Sequence, residues 1–540
     1  MPSTPTTKSQ VQAYQFVLRR MQSALVRRDA VMLHDPMRTH TRATIVGFVL
    51  AALGVLGFVI FGLISPAPTA PKSGIVIAKP SGAIYVKTEN PSMLIPTFNL
   101  ASARLLLMAQ QQNGQQGGAQ SGGAQQEVKQ PDVVPDEQLK DIPRGRLTGI
   151  IDGPQLLPSK DQRVSDNWSV CDNTKIDPTL PSQEGLRQAK TETTVFAGVA
   201  SPGREISTKE AILVNADDGR TYLIYRLQSN PNLPNANTVR AEVDKTKTSV
   251  WSALKLSSAQ PRHISMGMLN AIPPVGVLTP PTIPGAGEKS QYDLDSLPVG
   301  QVFRTTRSDG TVDTYAILRN GIQQVTPAVA DMIRFERNAS PGPIADLSPD
   351  KVSRANIVPA SDPSALQVGT FPQDVPTVLE PARSPVACLG WNIVDAGTPN
   401  EDGHTAVFVN SQLPDTKGVA PIDIGQSSPD GVQIDKFYMQ PGFAAVVRSA
   451  TSKASFTTGP ISLISDRGLR YGVPDVATAN ALGLDNPRPA PEAIIKLLPT
   501  GALLNTTDVR RSYDSVPIDP KAGTFPSQAP QAAGSAPPGK

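Results

Sequence analysis

The longest uninterrupted hydrophobic run lies near the amino terminus and extends from Thr44 to Ile64. The 20 residues from Ile45 to Ile64 contain no charged or polar side chain. At a helical rise of about 1.5 Å per residue they span about 30 Å, the thickness of a hydrocarbon core. A cleaved signal peptide is the alternative, but its apolar part is shorter and its leader is usually brief. Because 43 residues precede this run and no Ala-x-Ala pattern follows it, we predict an uncleaved membrane helix over 44–65.

A second hydrophobic pattern precedes the membrane segment, in the stretch VQAYQFVLRRMQSALVRRDAVML. Apolar residues recur there at spacings of 3, 4, 3 and 4, which predicts one helix with a narrow apolar seam, ended by Pro36. The seam consists of Val11, Tyr14, Leu18, Met21 and Leu25. A lone helix cannot bury its own seam, so the helix either lies on the membrane surface or docks on a cytoplasmic partner. We predict a docking helix within residues 1–43.

The distribution of cations predicts the orientation in the membrane. Residues 1–43 carry seven Lys and Arg residues against two Asp residues. Arg38 and Arg42 lie just before the apolar run, and the 15 residues after it contain only Lys72 and Lys79. The positive-inside rule therefore places 1–43 in the cytoplasm and 66–540 outside. We expect a single-pass protein of the inner (plasma) membrane, with most of the chain in the periplasm.

Small residues mark one face of the predicted membrane helix. Gly47, Ala51 and Gly54 follow one another at intervals of four and three residues. Such a face lets another membrane helix approach closely. The alternative is that Gly and Ala are merely common in membrane helices, so the packing role is a hypothesis.

The chain beyond the membrane contains a weak fourfold self-similarity. Each copy has a Gly, a Tyr within a β-rich segment, a short Ala/Leu helix and a Leu/Ile-Pro step. The glycines are Gly82, Gly219, Gly310 and Gly468, and the tyrosines are Tyr85, Tyr222, Tyr315 and Tyr471. Glycine at these positions is typical of hairpin turns and tyrosine of half-buried strands. Chance similarity in a chain rich in Gly and Pro is the alternative.

These patterns predict an α+β fold, with one N-terminal transmembrane helix and an elongated outer domain. Four small β-hairpin/helix repeats would surround a central β-rich core with pseudo-twofold symmetry. The runs TVFAGV, AILVNA, TAVFVNSQ and FAAVVRS would supply the central sheet. The predicted segments are a cytoplasmic helix (1–43), the membrane helix (44–65), repeat 1 (66–160) with a flexible Gln/Gly insertion (108–127), the first central core segment (161–204), repeat 2 (205–288), repeat 3 (289–380), the second central core segment (381–455), repeat 4 (456–515) and a disordered tail (516–540).

Charge and candidate chemistry add few functional residues. A net charge of +3 over 540 residues gives no nucleic-acid footprint. Outside the membrane, Cys171 and Cys388 either form a disulfide or remain as two buried thiols, and a zinc site lacks ligands because His263 and His404 are isolated in sequence. No P-loop, Gly-x-Ser-x-Gly or His-Glu-x-x-His motif occurs. We therefore predict no catalytic, cofactor-binding or metal-binding residues.

Eight motifs are spread over nearly the whole chain: VQAYQFVLRRM, DPMRTHTRA, GAIYVK, FNLASARLLL, IPRGRLTGI, NWSVCD, GLRYGV and LLPTGALLN. In this order they resemble the EccB family, a core membrane component of type VII (ESX) secretion systems of mycobacteria and related actinobacteria. The resemblance implies four repeats around a core and a disulfide matching Cys171 and Cys388. It also implies self-association through the outer domain, and as partners the motor ATPase EccC, EccD, EccE and the mycosin protease. The insertion at 108–127 looks longer than the family's usual loop.

The expected function is therefore structural: a subunit, anchored in the lipid bilayer, that scaffolds a secretion pore. Family members are also described as ATPases, but this sequence contains no motif for that activity, and we expect no ATP cofactor. A membrane-tethered module that binds cell-wall polymer is a further alternative, and an extracytoplasmic hydrolase acting on a nucleotide is another.

Overall fold

The structure is a computed structural model that describes residues 7–28, 36–64, 70–114, 130–164, 166–228, 238–425, 432 and 434–513. The chain divides into two compact units, Met1–Ala70 and Pro71–Lys540. The predicted disordered tail at 516–540 lies outside the described residues, as does most of the predicted insertion.

The described residues form 11 helices and 24 strands. The helices are α1 (Lys8–Arg27), α2 (Pro36–Ile64), α3 (Leu100–Gly114), α4 (Ser182–Arg187), α5 (Thr248–Ala253), α6 (Met266–Ala271), α7 (Pro327–Arg337), α8 (Pro349–Arg354), α9 (Ser455–Thr458), α10 (Val476–Ala481) and α11 (Glu492–Ile495). The strands are β1 (Gly74–Lys79), β2 (Ile84–Thr88), β3 (Met93–Thr97), β4 (Asp132–Pro135), β5 (Trp168–Lys175), β6 (Lys190–Ala197), β7 (Arg204–Glu205), β8 (Glu210–Asn215), β9 (Thr221–Arg226), β10 (Thr238–Glu242), β11 (Arg262–His263), β12 (Val302–Thr306), β13 (Val312–Leu318), β14 (Gly321–Gln324), β15 (Ala345–Asp346), β16 (Thr377–Val378), β17 (Val386–Val394), β18 (Asp402–Asn410), β19 (Ile422–Asp423), β20 (Lys436–Tyr438), β21 (Ala444–Ala450), β22 (Ile461–Ser465), β23 (Arg470–Val473) and β24 (Arg488–Pro491).

The smaller unit contains the two N-terminal helices. The first one, α1, starts after Thr7, whose backbone N–H donates to Gln10 Oε1 at 3.0 Å. It ends at Arg27, because Arg28 adopts a left-handed conformation with φ 55° and its N–H donates to Ala24 O. The predicted helix end at Pro36 is therefore wrong. Pro36 instead begins α2, a position that suits proline because the first helical N–H needs no partner within the helix.

The larger unit is built around a mixed seven-stranded sheet with the order β19-β20-β6-β5-β17-β18-β7. Two of its central strands, β5 and β17, are antiparallel and come from distant regions of the sequence. Their register places Cys171 opposite Cys388 and Trp168 opposite Trp391. All four of these side chains are buried: the tryptophans belong to the main core, and the cysteines to a smaller apolar cluster.

Four smaller sheets share one strand order, and we call each sheet with its helix a module. The orders are β3-β2-β1-β4, β10-β9-β8-β11, β14-β13-β12-β15 and β23-β22-β21-β24, for modules 1 to 4. In every module three antiparallel strands are followed by a helix and then by a fourth strand parallel to the first. The helices are α3, α5, α7 and α10. A sheet with one apolar face covered by a helix is a stable way to bury both elements.

Two equivalent hydrogen bonds lie on the outer edge of the third strand of each module, and we call them the closing pair. In module 1 the Leu94 N–H donates to Pro143 O at 2.8 Å, and the Gly145 N–H donates to Leu94 O at 2.8 Å. The other modules have the same pair, in which one residue donates its N–H to a first carbonyl oxygen and accepts from a second N–H. The central residue and its two partners are Arg240 with Pro273 O and Val275 N–H, Ile322 with Asn356 O and Val358 N–H, and Arg470 with Pro499 O and Gly501 N–H. The edge formed by the third strand of each small sheet is therefore partly covered by the chain itself, which limits edge-to-edge pairing there.

Two of the four runs predicted for the central sheet lie elsewhere. TVFAGV falls in β6 and TAVFVNSQ in β18, both in the central sheet, as predicted. AILVNA instead forms most of β8 and FAAVVRS most of β21, which are the first strands of modules 2 and 4. The prediction for these two runs is wrong. Strand β21 also pairs with β22 across the predicted boundary between the second central core segment and repeat 4.

The predicted glycine turns are confirmed, but the fourth copy is out of register. Gly82, Gly219 and Gly310 have φ between 72° and 83° and lie in the turn between the first and second strands of their modules. Gly468, with φ 75°, lies between the second and third strands of module 4. Tyr471 accordingly sits on a third strand, whereas the other three tyrosines sit on second strands.

The modules pack in pairs within the larger unit. Residues of modules 1 and 4 share one hydrophobic core, in which Leu105 and Leu106 of α3 join Leu463 and Leu482 of module 4. Modules 2 and 3 meet where α5 packs on α7, with Ala328 and Met332 buried against module 2. Helix α3 continues to Gly114, so the first seven residues of the predicted insertion are helical. Ala and Gln favour helix, and Ala109 is buried in this segment.

Candidate functional site

Helix α2 contains a stretch with the length and composition of a membrane span. Residues Arg42–Gly62 have a mean hydropathy of 2.6 over the most apolar window, and none of that window is buried. Twenty-one residues are enough to cross a hydrocarbon core. Arg38 and Arg42, the predicted topology signals, both lie in the N-terminal part of α2, and Arg42 is the first residue of this stretch.

The small-residue face of α2 is open among the described residues. A Cβ added at Gly47 or Gly54 would have no described atom within 4 Å, and Ala51 is exposed on the same face. Large side chains such as Phe48 are exposed elsewhere around the helix. The geometry therefore leaves room for a close helix neighbour on this face.

Helix α1 exposes its apolar seam. Tyr14 is 67% and Leu25 is 81% exposed, and Val11, Leu18 and Met21 are also exposed. Phe16, Val17 and Val26 add exposed apolar area beside the predicted seam. Within the smaller unit the seam packs on no other described element, which is unusual for so much apolar surface.

A disulfide bond joins Cys171 and Cys388 at the centre of the larger unit. Both cysteines have no exposed surface and pack with Phe196, Val386 and Tyr438. The bond connects two neighbouring strands whose cysteines are 217 residues apart in sequence. It therefore fixes two distant regions of the chain to each other at the middle of the central sheet.

Next to the disulfide lies a buried acid that the sequence did not reveal. Asp172 accepts hydrogen bonds from the Ser265 N–H at 2.7 Å, from Ser265 Oγ at 2.8 Å and from Thr193 Oγ1 at 2.8 Å. Burial raises the pKa of Asp172, and these hydrogen bonds act in the opposite direction. Because Ser265 also caps α6 through the Met268 N–H, the carboxylate links the central sheet to the start of that helix.

Arg262 is a buried cation that interacts electrostatically with this acid. Its Nη1 donates to Ser384 O at 2.6 Å, and burial lowers its pKa to about 10, with Asp172 opposing the shift. Arg262 thus holds the segment after β16 against β11. The arrangement stabilises the joint between module 2 and the central sheet.

Ion pairs strengthen the same joint at the surface. Arg204 of β7 contacts Glu210 of β8 at 2.8 Å, and Ser207 donates to the same carboxylate through its N–H at 2.9 Å. The hydrogen bond from Arg204 is the main cause that lowers the pKa of Glu210 to about 2. Arg226 and Glu205 form a second pair at 3.3 Å. Among the described residues, no group of three His, Cys, Asp or Glu side chains could hold a metal ion.

Comparison with known proteins identifies the family of this chain. A family model described as type VII secretion system ESX-1, transport TM domain B (EccB), matches residues 3–518. The chain is 28% identical to the ESX-3 secretion system ATPase EccB3 of Mycolicibacterium smegmatis, over 96% of this chain and 92% of that protein. It is 27% identical to the ESX-1 secretion system ATPase EccB1 of Mycobacterium tuberculosis, over 97% of this chain and 98% of that protein.

Solved structures of the same family share the fold. The chain matches a protein in the structure of an EccB3 dimer from the ESX-3 core complex with a TM-score of 0.63 and 25% identity, covering 81% of this chain and 99% of that one. It also matches a chain of an intact ESX-5 inner membrane complex with a TM-score of 0.62 and 24% identity, covering 98% and 99%. This second likeness concerns the fold alone.

A membrane-length helix joined to a mixed α+β unit is typical of a membrane-anchored protein. The chain belongs to the EccB family of type VII secretion components. The resemblance stated from the sequence is confirmed, and as a family member the chain is a structural component of an ESX inner membrane complex.

Proposed function

We propose that this chain anchors and scaffolds a type VII secretion pore from the periplasmic side. Residues 1–43 lie in the cytoplasm, α2 crosses the membrane once, and the larger unit lies outside. The observation that carries this proposal is the isolated apolar stretch Arg42–Gly62, preceded by a cation-rich segment and followed by a disulfide-bonded unit. Disulfides persist in oxidising compartments, which agrees with this orientation.

We further propose that the four modules are repeats arranged with pseudo-twofold symmetry about the central sheet. The shared strand order and the closing pair in every module support this proposal. So does the pairing of module 1 with module 4 and of module 2 with module 3, because each pair meets helix to helix in a common core. Each half of the sequence then contributes two modules and one of the two bonded cysteines.

Two surfaces serve assembly in this proposal. The seam of α1 docks on cytoplasmic regions of neighbouring subunits, because exposed apolar residues such as Tyr14 and Leu25 gain about 25 cal/mol per Å² when covered. The face formed by Gly47, Ala51 and Gly54 packs against another membrane helix. The partners are the EccC motor, EccD, EccE and the mycosin protease, with a second copy of this chain bound through the larger unit. The dimer described for the EccB3 relative supports the self-association.

The docking role is tested with Leu18→Glu in the full chain, expressed with its secretion system and extracted in mild detergent. A charge on the seam should reduce co-purification of the other membrane subunits at least several-fold. The matched control is Gln12→Glu, which adds the same charge off the seam. Equal recovery of partners with both variants would rule out the seam as a docking surface.

The orientation is tested separately with a tag at the carboxyl end in intact spheroplasts. Added protease should remove the tag, because the larger unit lies outside the membrane in this proposal. A tag that stays protected until the membrane is permeabilised would reverse the topology and remove the periplasmic scaffold role.

A further inference from the structure

A large cleft opens in the larger unit between the central sheet and module 2. Its volume is about 1100 Å³, above the range of roughly 300–1,000 Å³ that is typical of small-molecule sites. The walls come from the end of β5, the segment leading through α4, the turn after α5 and strand β16. Residues from each wall include Thr174, Leu180, Ser258 and Val378.

Thr174 lines this cleft and carries a buried hydroxyl group. The residue is only 3% exposed, and among the described residues its Oγ1 atom has no hydrogen-bond partner. A buried hydroxyl without a partner is costly, since it has lost water and gained nothing in return. A ligand group in the cleft that accepts from or donates to this hydroxyl would remove that cost.

Strand β16 presents a backbone edge to the same cleft. The Thr377 N–H donates to the oxygen of Lys209, the residue before β8, and the Leu379 N–H donates to Ala211 O within β8. Both hydrogen bonds are 2.8 Å long. Because successive N–H groups of a strand point in opposite directions, the N–H of Val378 points away from β8. Val378 also lines the cleft, so an edge suited to strand addition faces it.

Two of the charged groups at the rim already have partners. Lys175 Nζ lies 2.6 Å from Glu192 Oε2, and Asp177 Oδ1 accepts from the Thr179 N–H at 2.9 Å. No aromatic ring is among the described residues that line the cleft, so it has no platform on which a nucleobase would stack. The cleft also presents a hydroxyl, a backbone edge, apolar side chains and the exposed cation Lys255, which together match the main chain and side chains of a peptide.

We propose that this cleft binds an extended polypeptide segment of another protein. The segment lies along β16 as an added strand, its backbone accepts from the Val378 N–H, and a polar backbone group pairs with Thr174 Oγ1. Apolar side chains of the segment contact Leu180 and its neighbours. This site is separate from the α1 seam and the α2 face, and it does not depend on the assembly role proposed above.

The test uses the full chain in detergent micelles and a phage-displayed library of short random linear peptides as the probe. Peptides selected on the natural chain are synthesised and their dissociation constants measured. Ser258→Trp fills the cleft from an exposed wall position and should abolish binding. Ser257→Trp, the same change at the exposed neighbour that does not line the cleft, should leave binding unchanged.

A second pair of variants tests the hydroxyl. Thr174→Val keeps the shape and should weaken binding roughly threefold to tenfold, the contribution of one neutral hydrogen bond. It should not lower the thermal stability of the free chain, because the hydroxyl has no partner to lose. The control is Thr194→Val, which removes another buried hydroxyl without a partner in the described structure, outside the cleft.

Binding should also slow hydrogen exchange at the Val378 amide. The proposal is overturned if no peptide is enriched, or if the selected peptides bind Ser258→Trp as well as the natural chain. It is equally overturned if Thr174→Val binds with unchanged affinity. If deletion of residues 514–540 raises the affinity, the chain's own tail competes for the cleft and the assignment to another protein is wrong.

Discussion

Removing the bond between Cys171 and Cys388 should destabilise the central sheet strongly. In the chain-entropy model, a cross-link between residues 217 apart restricts the unfolded chain by about 5 kcal/mol, and measured effects are often smaller. We therefore expect Cys171→Ala/Cys388→Ala to lose about 3–5 kcal/mol of unfolding free energy. The strands themselves should still pair, since their register is also held by backbone hydrogen bonds and buried apolar side chains.

Tryptophan fluorescence provides the assay, because Trp168 and Trp391 lie opposite each other on the two bonded strands. Urea unfolding of the natural chain is compared with and without a reductant present in the denaturant, and both with the double variant. The midpoint should fall by roughly 1–2 M urea when the bond is absent. Reduction leaves both sulfur atoms in place, so this comparison isolates the bond from any change in packing.

The single variant Cys171→Ala is the decisive control. One substitution already breaks the bond, so a cross-link effect predicts that the single and double variants unfold at nearly the same midpoint. A single variant halfway between the natural chain and the double variant would show that side-chain packing causes the loss. Identical midpoints for the oxidised and reduced natural chain would refute the reasoning altogether.

Three further outcomes are expected. Glu210 has a pKa of about 2 in the fold against 4.5 ordinarily, so it contributes stability above pH 4.5 that is lost as the pH falls toward 2. In thermal unfolding measured as a function of pH, Glu210→Gln should reduce the loss of stability at acid pH. Glu89→Gln, at an exposed site, should leave that loss unchanged. Gly321→Ala should destabilise the chain by about 1–3 kcal/mol in the same assay, because a Cβ there would overlap the backbone oxygen of Asn356, while Gly342→Ala has open space and should be neutral. The purified full chain should hydrolyse ATP no faster than a heat-inactivated sample, and turnover that persists through successive purification steps would contradict the structural role.

The membrane helix and the hairpin turns could be predicted because their signals are local. An apolar run of this length without charges predicts a helix that can cross a membrane, and a glycine such as Gly82 or Gly219 is favoured where φ is positive. The first three modules were placed correctly at their turns for this reason. No long-range information was needed for either feature.

Module 4 shows where local signals fail. Its first hairpin connection, from Ala450 to Ile461, contains the helix α9 instead of a short glycine turn. The Gly and Tyr pattern therefore matched its second hairpin, at Gly468 and Tyr471. As a result β21 was assigned to the central sheet, although the apolar pattern of a strand does not specify which sheet it joins.

The cleft and the buried network could not be predicted, because they depend on short strands and distant pairs. Strands β11 and β16 have two residues each, too few to give a periodic signal. Asp172 and Ser265 are 93 residues apart, and nothing in the sequence indicates that they are partners. Likewise, only the fold reveals that the Thr174 hydroxyl has no hydrogen-bond partner within the described part of the chain.

The position of the two cysteines has a consequence for the order in which the chain matures. All of modules 2 and 3 lies between Cys171 and Cys388, so both modules emerge during synthesis before the second cysteine exists. Their strands are close in sequence and need no late partner, so they can become structured while β5 still awaits β17. During that interval Cys171 carries a free thiol, and an oxidase that acted early would find no correct partner for it within the nascent chain.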